Sequence, residues 1–391
     1  MIIWICTKNL ENIFEKKQVK RIKRDKEIKK DLIFTQFCVF IKRFGRYSKN
    51  FIIFIVHMNS FFEGKTILIT GGTWFLGRAL TKELLTHNPH AIRIYSRDEV
   101  KHFRMQQDFK NNEKLRFLLW DIRDYNRLEK ALKWVDYVIN AAALKRLDLI
   151  EYNTEEAVKT NIIGTLNLVR ACENNKVKKV VFVSTDKACS PVNTYGACKF
   201  VSERIMTESN YSNGESCVYT CVRYGNVINS TWSLIPFLQD KIRNNEDFLL
   251  TNEQMTRFLI TEEQAVKLIL NAFEHSIWWE VFVPRLPSVK VIDLMEAIKK
   301  INNSNNKIIN IWLRPGEKIH ELMINEAEWS RIVDFNNMYI IKSMIEEYKP
   351  SVWIAEYSKK WTKKEIETYS SETETISVDE IIKKFWDFLK I

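Results

Sequence analysis

The sequence predicts an α/β fold, a doubly wound parallel sheet with a smaller C-terminal α/β portion. Three observations carry this. Short apolar runs of strand character alternate with amphipathic helical segments from Thr66 to Val222. The first run ends in a glycine-rich turn that passes directly into a helix. At 391 residues the chain is long enough for two domains, or for one α/β domain with a smaller companion.

Residues 1–57 are set apart by charge, holding 14 Lys or Arg against 5 Asp or Glu, which is +9 of the formal +11. The remainder is nearly neutral, so no nucleic-acid partner is expected. Lys16 to Lys30 is mostly charged, and Phe51 to Val56 is too short an apolar run to span a bilayer. The order is also wrong for a signal peptide, so no stable membrane span is expected. Residues 1–57 read as a disordered basic arm or as sequence outside the native protein. On the second reading translation starts at Met58, directly before Asn59-Ser60-Phe61-Phe62-Glu63-Gly64-Lys65 and the first strand. Intact-mass measurement of natively expressed protein decides between them. The seven cysteines form an odd set without a CxxC pair, the usage of reduced thiols in a cytoplasmic protein, and no metal-ligand spacing is present.

Residues 58–225 read as a nucleotide-binding half. Thr66-Ile67-Leu68-Ile69-Thr70-Gly71-Gly72-Thr73-Trp74-Phe75-Leu76-Gly77 is strand, turn and helix, a Rossmann dinucleotide-binding crossover with one fault. Gly71 and Gly77 fill the outer glycine places, but Trp74 holds the middle one, where backbone must approach a pyrophosphate. Ala91 to Tyr95 is the second strand and ends in Ser96-Arg97-Asp98. An Arg at that strand end suits a 2′-phosphate, so Arg97 points to NADP; a solvated strand-end charge is the other reading. Leu115 to Leu119 is the third strand, followed by Asp121-Ile122, where an acidic side chain can meet an adenine amine. Tyr137 to Asn140 is the fourth, and the small Ala141-Ala142-Ala143 after it lets a nicotinamide ring lie against backbone. A long helix with Asn161 near its middle leads to the fifth strand, Lys179 to Val183.

The most informative stretch follows: Ser184-Thr185-Asp186-Lys187-Ala188-Cys189-Ser190-Pro191-Val192-Asn193-Thr194-Tyr195-Gly196-Ala197-Cys198-Lys199. Tyr195 and Lys199 share a helix face, and an ammonium beside a phenol lowers its pKa, preparing it to remove an alcohol proton.

These residues resemble those of the extended short-chain dehydrogenases/reductases that act on nucleotide sugars. A narrower likeness comes from Ala-Ala-Ala-x-Lys before the stretch, and from Arg-Tyr-Gly-Asn-Val, Met-Thr-Arg-Phe and Arg-Pro-Gly-Glu-Lys-x-His-Glu after it. Together they are similar to the inverting UDP-N-acetylglucosamine 4,6-dehydratases of polysaccharide and pseudaminic acid biosynthesis. The resemblance implies a UDP-sugar substrate, a homo-oligomer and bound NADP, with Lys145 and Asn161 beside the cofactor. It makes Tyr195 the assistant of C4 oxidation, Lys187 the base at C5, Asp186 the acid at C6 and Thr185 a residue that orients the sugar. For these roles Lys187 must be partly neutral and Asp186 partly protonated, and desolvation shifts both in that direction. The retaining dehydratases carry an acidic pair where this chain has Asp186-Lys187, which favours inversion.

Residues 226–340 read as a nucleotide-sugar-binding portion interleaved with the Rossmann sheet. By resemblance Lys145 and Asn226 meet the sugar, Arg257 and Arg314 meet the diphosphate or uridine, and Val227 and Glu317 also belong to the substrate-binding set. Asn229-Ser230-Thr231-Trp232-Ser233 departs from the family pattern by losing an Arg, and Arg146 stands where a histidine is common. In the final segment, residues 341–391, the apolar spacing from Val378 to Leu389 predicts a packed helix without chemistry.

Composition holds a second anomaly. Only 10 residues are Gly and 12 are Trp, against a usual glycine share of about 7%. Trp74, Trp120, Trp134, Trp232, Trp278, Trp279 and Trp312 stand where the family has glycine. A codon read as glycine in the source organism, UGA above all, but translated as tryptophan would account for this. Ordinary UGG codons at the seven positions would sink that idea. Three functional readings result: an NADP-dependent dehydratase, a related nucleotide-sugar epimerase, and a module without catalysis whose cofactor site is blocked by Trp74.

Overall fold

All five residues of Thr66–Thr70 are buried, so this run forms a central strand covered on both faces, as a parallel sheet requires. The computed structural model describes residues 61–212, 216–230, 233–344, 362–363 and 368–391. The chain divides into two units, Met1–His57 and Met58–Ile391. The expectations for residues 1–57, and for Thr231 and Trp232, lie outside the described residues.

The first half holds β1 (Thr66–Thr70), α1 (Phe75–Thr86), β2 (Ala91–Ser96), α2 (Glu99–Asp108), β3 (Leu115–Leu119), α3 (Tyr125–Ala131) and β4 (Tyr137–Asn140). It continues with α4 (Leu147–Ile150), α5 (Thr154–Ala157), a π-helical turn (Val158–Ile163), α6 (Gly164–Asn174), β5 (Lys179–Val183), a 3₁₀ turn (Asp186–Ala188), α7 (Thr194–Ser212) and β6 (Val218–Val222). Next come β7 (Asn226–Val227), α8 (Leu234–Arg243), β8 (Phe248–Leu250), β9 (Thr256–Ile260), α9 (Glu262–His275), β10 (Val281–Pro284), β11 (Ser288–Lys290), α10 (Val291–Ile301) and β12 (Ile308–Asn310). The chain closes with β13 (Leu322–Ile324), α11 (Glu326–Trp329), β14 (Ile332–Phe335), β15 (Met338–Ile341), β16 (Thr362–Lys363), β17 (Tyr369–Ser370) and α12 (Val378–Leu389).

Among the described residues the main sheet runs β16-β14-β15-β10-β6-β5-β4-β1-β2-β3. Its pairings are parallel from β3 through β10. They are antiparallel from β10 to β16. The expected doubly wound parallel sheet is therefore present, extended on one edge by a hairpin and a short strand. The strand order reverses between β1 and β4, which opens a ligand crevice at their C-terminal ends.

Glycine is required in the first turn. Gly71 has φ +66°, and a Cβ on it would meet Ala141 O at 2.9 Å; a Cβ on Gly77 would meet Gly72 O at 2.4 Å. Only without side chains can α1 close onto β1. A second core gathers under α8, α10 and α12, where Ile381, Phe385 and Leu389 are buried at helical spacing. The predicted Val378–Leu389 helix is present with those bounds.

The tryptophans share no packing role. Trp134 has φ +60° and is 85% exposed. Trp312 is 94% exposed, whereas Trp279 is buried against Tyr211 with ring centroids 4.1 Å apart. Left-handed backbone suits glycine and is strained for a bulky side chain.

Candidate active site

The crevice is framed by hydrogen bonds between strand ends. Thr70 Oγ1 donates to Asn140 Oδ1 at 2.7 Å and accepts from Ala142 N at 3.1 Å, so β1, β4 and the Ala141–Ala143 segment are held in one frame. Thr73 and Ser96 join hydroxyl to hydroxyl at 2.8 Å, linking the glycine turn to β2. Phe75 and Leu76 open α1, and Trp74 caps it in an extended conformation, φ −82° and ψ 173°. The Trp74 indole is 43% exposed and lies under the Lys101 ammonium of α2, 3.7 Å from the ring centroid. Backbone glycines, a 12-residue helix presenting its N-terminus, and open strand ends fit a dinucleotide. The Trp74 indole is the one group out of keeping with it.

Other predicted cofactor residues have partners within the protein. Asp98 caps α2, accepting from Lys101 N at 3.0 Å. Asp121 receives two guanidinium hydrogen bonds from Arg123, at 3.0 and 2.8 Å, and lies 3.5 Å from Arg97. These arginines hold its carboxyl below the ordinary range against the opposing effect of burial, the largest single influence. Ile122 is buried against Gly164, whose missing Cβ leaves it room. Asn161, inside the π-helical turn, spends its amide on Leu144, accepting from N at 2.8 Å and donating to O at 3.0 Å. Its role here is to fix the loop that carries Ala143 and Lys145.

The catalytic candidates converge at the end of β5. Asp186 is fully buried; its Oδ1 accepts from Thr185 Oγ1 at 2.9 Å and from Lys187 Nζ at 3.1 Å, and its Oδ2 has no hydrogen bond. Lys187 Nζ also lies 3.1 Å from Glu321 Oε1 and 3.5 Å from Asn226 Oδ1. Lys145 is disfavoured as an ammonium, first by desolvation and then by the charge of Lys187.

Two electrostatic expectations are corrected. Desolvation does push the Lys187 amine down, but Asp186 and Glu321 outweigh it, so the ammonium is held above its ordinary range. The neighbour that draws the Tyr195 phenol down is Lys187 rather than Lys199, and desolvation still leaves it pushed up to about 12. Lys199 donates instead to Val183 O at 2.7 Å, tying α7 to β5, and burial lowers it to about 8.

On the sugar side, β7 places Asn226 and Val227 beside β9. Arg257, 7% exposed, gives its guanidinium to the carbonyls of Thr256, Ile319 and Lys318 at 2.7, 3.0 and 2.9 Å, and lies 3.9 Å from Glu317. It thereby closes the 317–321 loop. Arg314 is exposed. Sequence reasoning missed Glu321, although it ends the quoted Arg-Pro-Gly-Glu-Lys-x-His-Glu motif.

A family model described as polysaccharide biosynthesis protein matches residues 67–343, most of the chain and all of the predicted site residues. The chain belongs to that family. This member of the polysaccharide biosynthesis family is 42% identical over 288 residues to UDP-N-acetylglucosamine 4,6-dehydratase (inverting) from Campylobacter jejuni, covering 73% of this chain and 85% of the relative. It is 37% identical to UDP-glucose 4-epimerase from Rickettsia bellii, over 82% of this chain and 95% of that one. Among solved structures, Pen from Bacillus thuringiensis superposes with a TM-score of 0.77 at 35% identity, covering 84% of this chain and 98% of Pen. A dTDP-glucose 4,6-dehydratase from Streptomyces venezuelae, at 18% identity and TM-score 0.60, shares the family member's fold.

Proposed function

We propose that this chain is an NADP-dependent UDP-N-acetylglucosamine 4,6-dehydratase, a hydro-lyase that forms a UDP-4-keto-6-deoxy-N-acetylhexosamine with inversion at C5 for surface-glycan biosynthesis. The observation that carries this is the adjacent pair of buried Asp186 and partly buried Lys187, 3.1 Å apart beside Tyr195 and Thr185. When bound, the cofactor supplies oxidation at C4 and the matching reduction at C6. Gly71, Thr73, Ser96, Arg97 and Ala141–Ala143 are the residues that would hold it, with Arg97 as the partner of a 2′-phosphate.

Tyr195 takes the C4 hydroxyl proton, Lys187 takes the C5 proton, and Asp186 protonates the C6 hydroxyl as it leaves as water. Acid and base arise from one another. In the resting pair the shared proton is on Lys187, and its movement to Asp186 produces both required forms without any change in the total.

The test is incubation with UDP-N-acetylglucosamine and NADP in D₂O, followed by NMR. A 4-keto-6-deoxy product carrying deuterium at an inverted C5 is expected. An epimerase, the activity named for the Rickettsia relative, would give a C4 epimer without loss of water. No NADP binding at all would leave the module reading, with Trp74 as its cause. We also expect self-association, read by light scattering.

A further inference from the structure

Lys187 faces more charge than the proposed elimination requires. Its partner in that chemistry is Asp186, yet a second carboxylate, Glu321, is equally near at 3.1 Å. Glu321 is 2% exposed, and its Oε2 makes no hydrogen bond. A buried carboxylate left half unsatisfied is costly, and such groups recur where chemistry uses them.

Its placement is built by a distant part of the chain. Glu321 N donates to Ser371 Oγ at 2.9 Å, and Ser371 N returns a hydrogen bond to Glu321 O at 2.9 Å. Ser371 is fully buried, and its hydroxyl meets Thr256 Oγ1 at 2.6 Å. The antiparallel pairing of β13 with β17, which shifts register between Leu322 and Ile324, holds the two backbones together. Residues 369–371, in the final segment of the chain, therefore support the site.

We propose that Glu321 is a positioning residue that anchors the Lys187 ammonium opposite Asp186 and so governs which member of that pair carries their shared proton. The transfer it governs breaks an N–H bond at Lys187 Nζ and forms an O–H bond at Asp186 Oδ1; no other reactant takes part. Charges on every side enter the balance. Asp186 and Glu321 retain the proton on Lys187, Arg257 and Lys145 oppose them, and Tyr195 lies on the α7 side. Lys318, 3.8 Å from Glu321 Oε2, and Glu317, 3.9 Å from Arg257, complete the surroundings. With Glu321 neutral, desolvation and the two remaining cations would draw the proton off Lys187.

The inference rests on the dehydratase reading only in naming Lys187 as the base, and its test needs no turnover. The Lys187 side chain is 19% exposed, which admits a small reagent. Competitive acetylation with trace acetic anhydride, read by peptide mass spectrometry across pH on the full chain, gives the midpoint for Lys187. For Glu321→Gln the midpoint is expected to fall by about one pH unit or more, the lower range for loss of a close opposite charge. Glu321→Asp is expected to restore most of that fall. An unmoved midpoint in a Glu321→Gln protein with native circular dichroism overturns the proposal. Should that variant fail to fold, Ser371→Ala keeps the carboxylate but loosens its backbone; a fall in the midpoint supports the proposal and an unmoved one overturns it. Failure of the dehydratase reading shows separately, as absence of product from the unaltered protein.

Discussion

Trp134 adopts φ +60° on an exposed turn between α3 and β4, where nothing packs around it to offset the strain. A left-handed conformation costs an L-residue roughly 1–2 kcal/mol that glycine does not incur. Trp134→Gly is therefore expected to stabilise the protein by about 1 kcal/mol and to raise Tm by about 1–2 °C, measured by thermal denaturation. A lower Tm would contradict the idea that glycine belongs there. Trp74 lends itself to a different measurement, because its backbone is unstrained and its indole borders the cofactor crevice. Trp74→Gly is expected to tighten NADP binding about tenfold or more, some 1.4 kcal/mol, by isothermal titration calorimetry. Unchanged affinity would mean that the indole clears the phosphates. The sequence made both positions suspicious through composition and spacing. Only the dihedral angle separates Trp134, where the backbone itself asks for glycine, from Trp74, where a ligand does.

At the scale of elements, the alternation of strand and helix was enough to read the parallel part of the sheet, since β1 through β6 each follow an apolar run of the expected length. The antiparallel edge was not read. Its signal existed: Asn336-Asn337 lies between the apolar runs of β14 and β15, and both residues take positive φ, +45° and +62°, as the two centres of a tight hairpin turn must. The buried cluster behind the catalytic helix had no such local signal. Arg223, at the end of β6, donates to Glu203 of α7 at 3.1 and 2.6 Å and to Glu328 of α11 at 2.9 and 3.0 Å, bringing together residues more than 100 positions apart. This clamp joins the helix bearing Tyr195 and Lys199 to the segment that follows Glu321. Glu203→Ala leaves the guanidinium short of one partner and is expected to cost about 3–5 kcal/mol in urea unfolding. A loss under 1 kcal/mol would show that the cluster relaxes around the change.

For the molecule as a whole, the proposed preference for NADP is tested at one exposed corner. Arg97 is half-exposed and only loosely paired with Asp121 at 3.5 Å, so it is available to a 2′-phosphate. Arg97→Ala is expected to weaken NADP binding about tenfold while sparing NAD, measured by competitive titration. Equal losses for both cofactors would move the preference elsewhere. Most of the candidate site was proposed from contiguous motifs at strand ends. What escaped were the contacts between distant segments, Glu321 with Ser371 above all, because no local pattern records a pairing of short strands. That pairing also sets an order of events during synthesis. The nucleotide crevice lies within residues 66–199, whereas the support for Glu321 leaves the ribosome only with Ser371, long after the crevice residues. A nascent chain can thus present its crevice residues for folding long before the residues that support Glu321 have emerged.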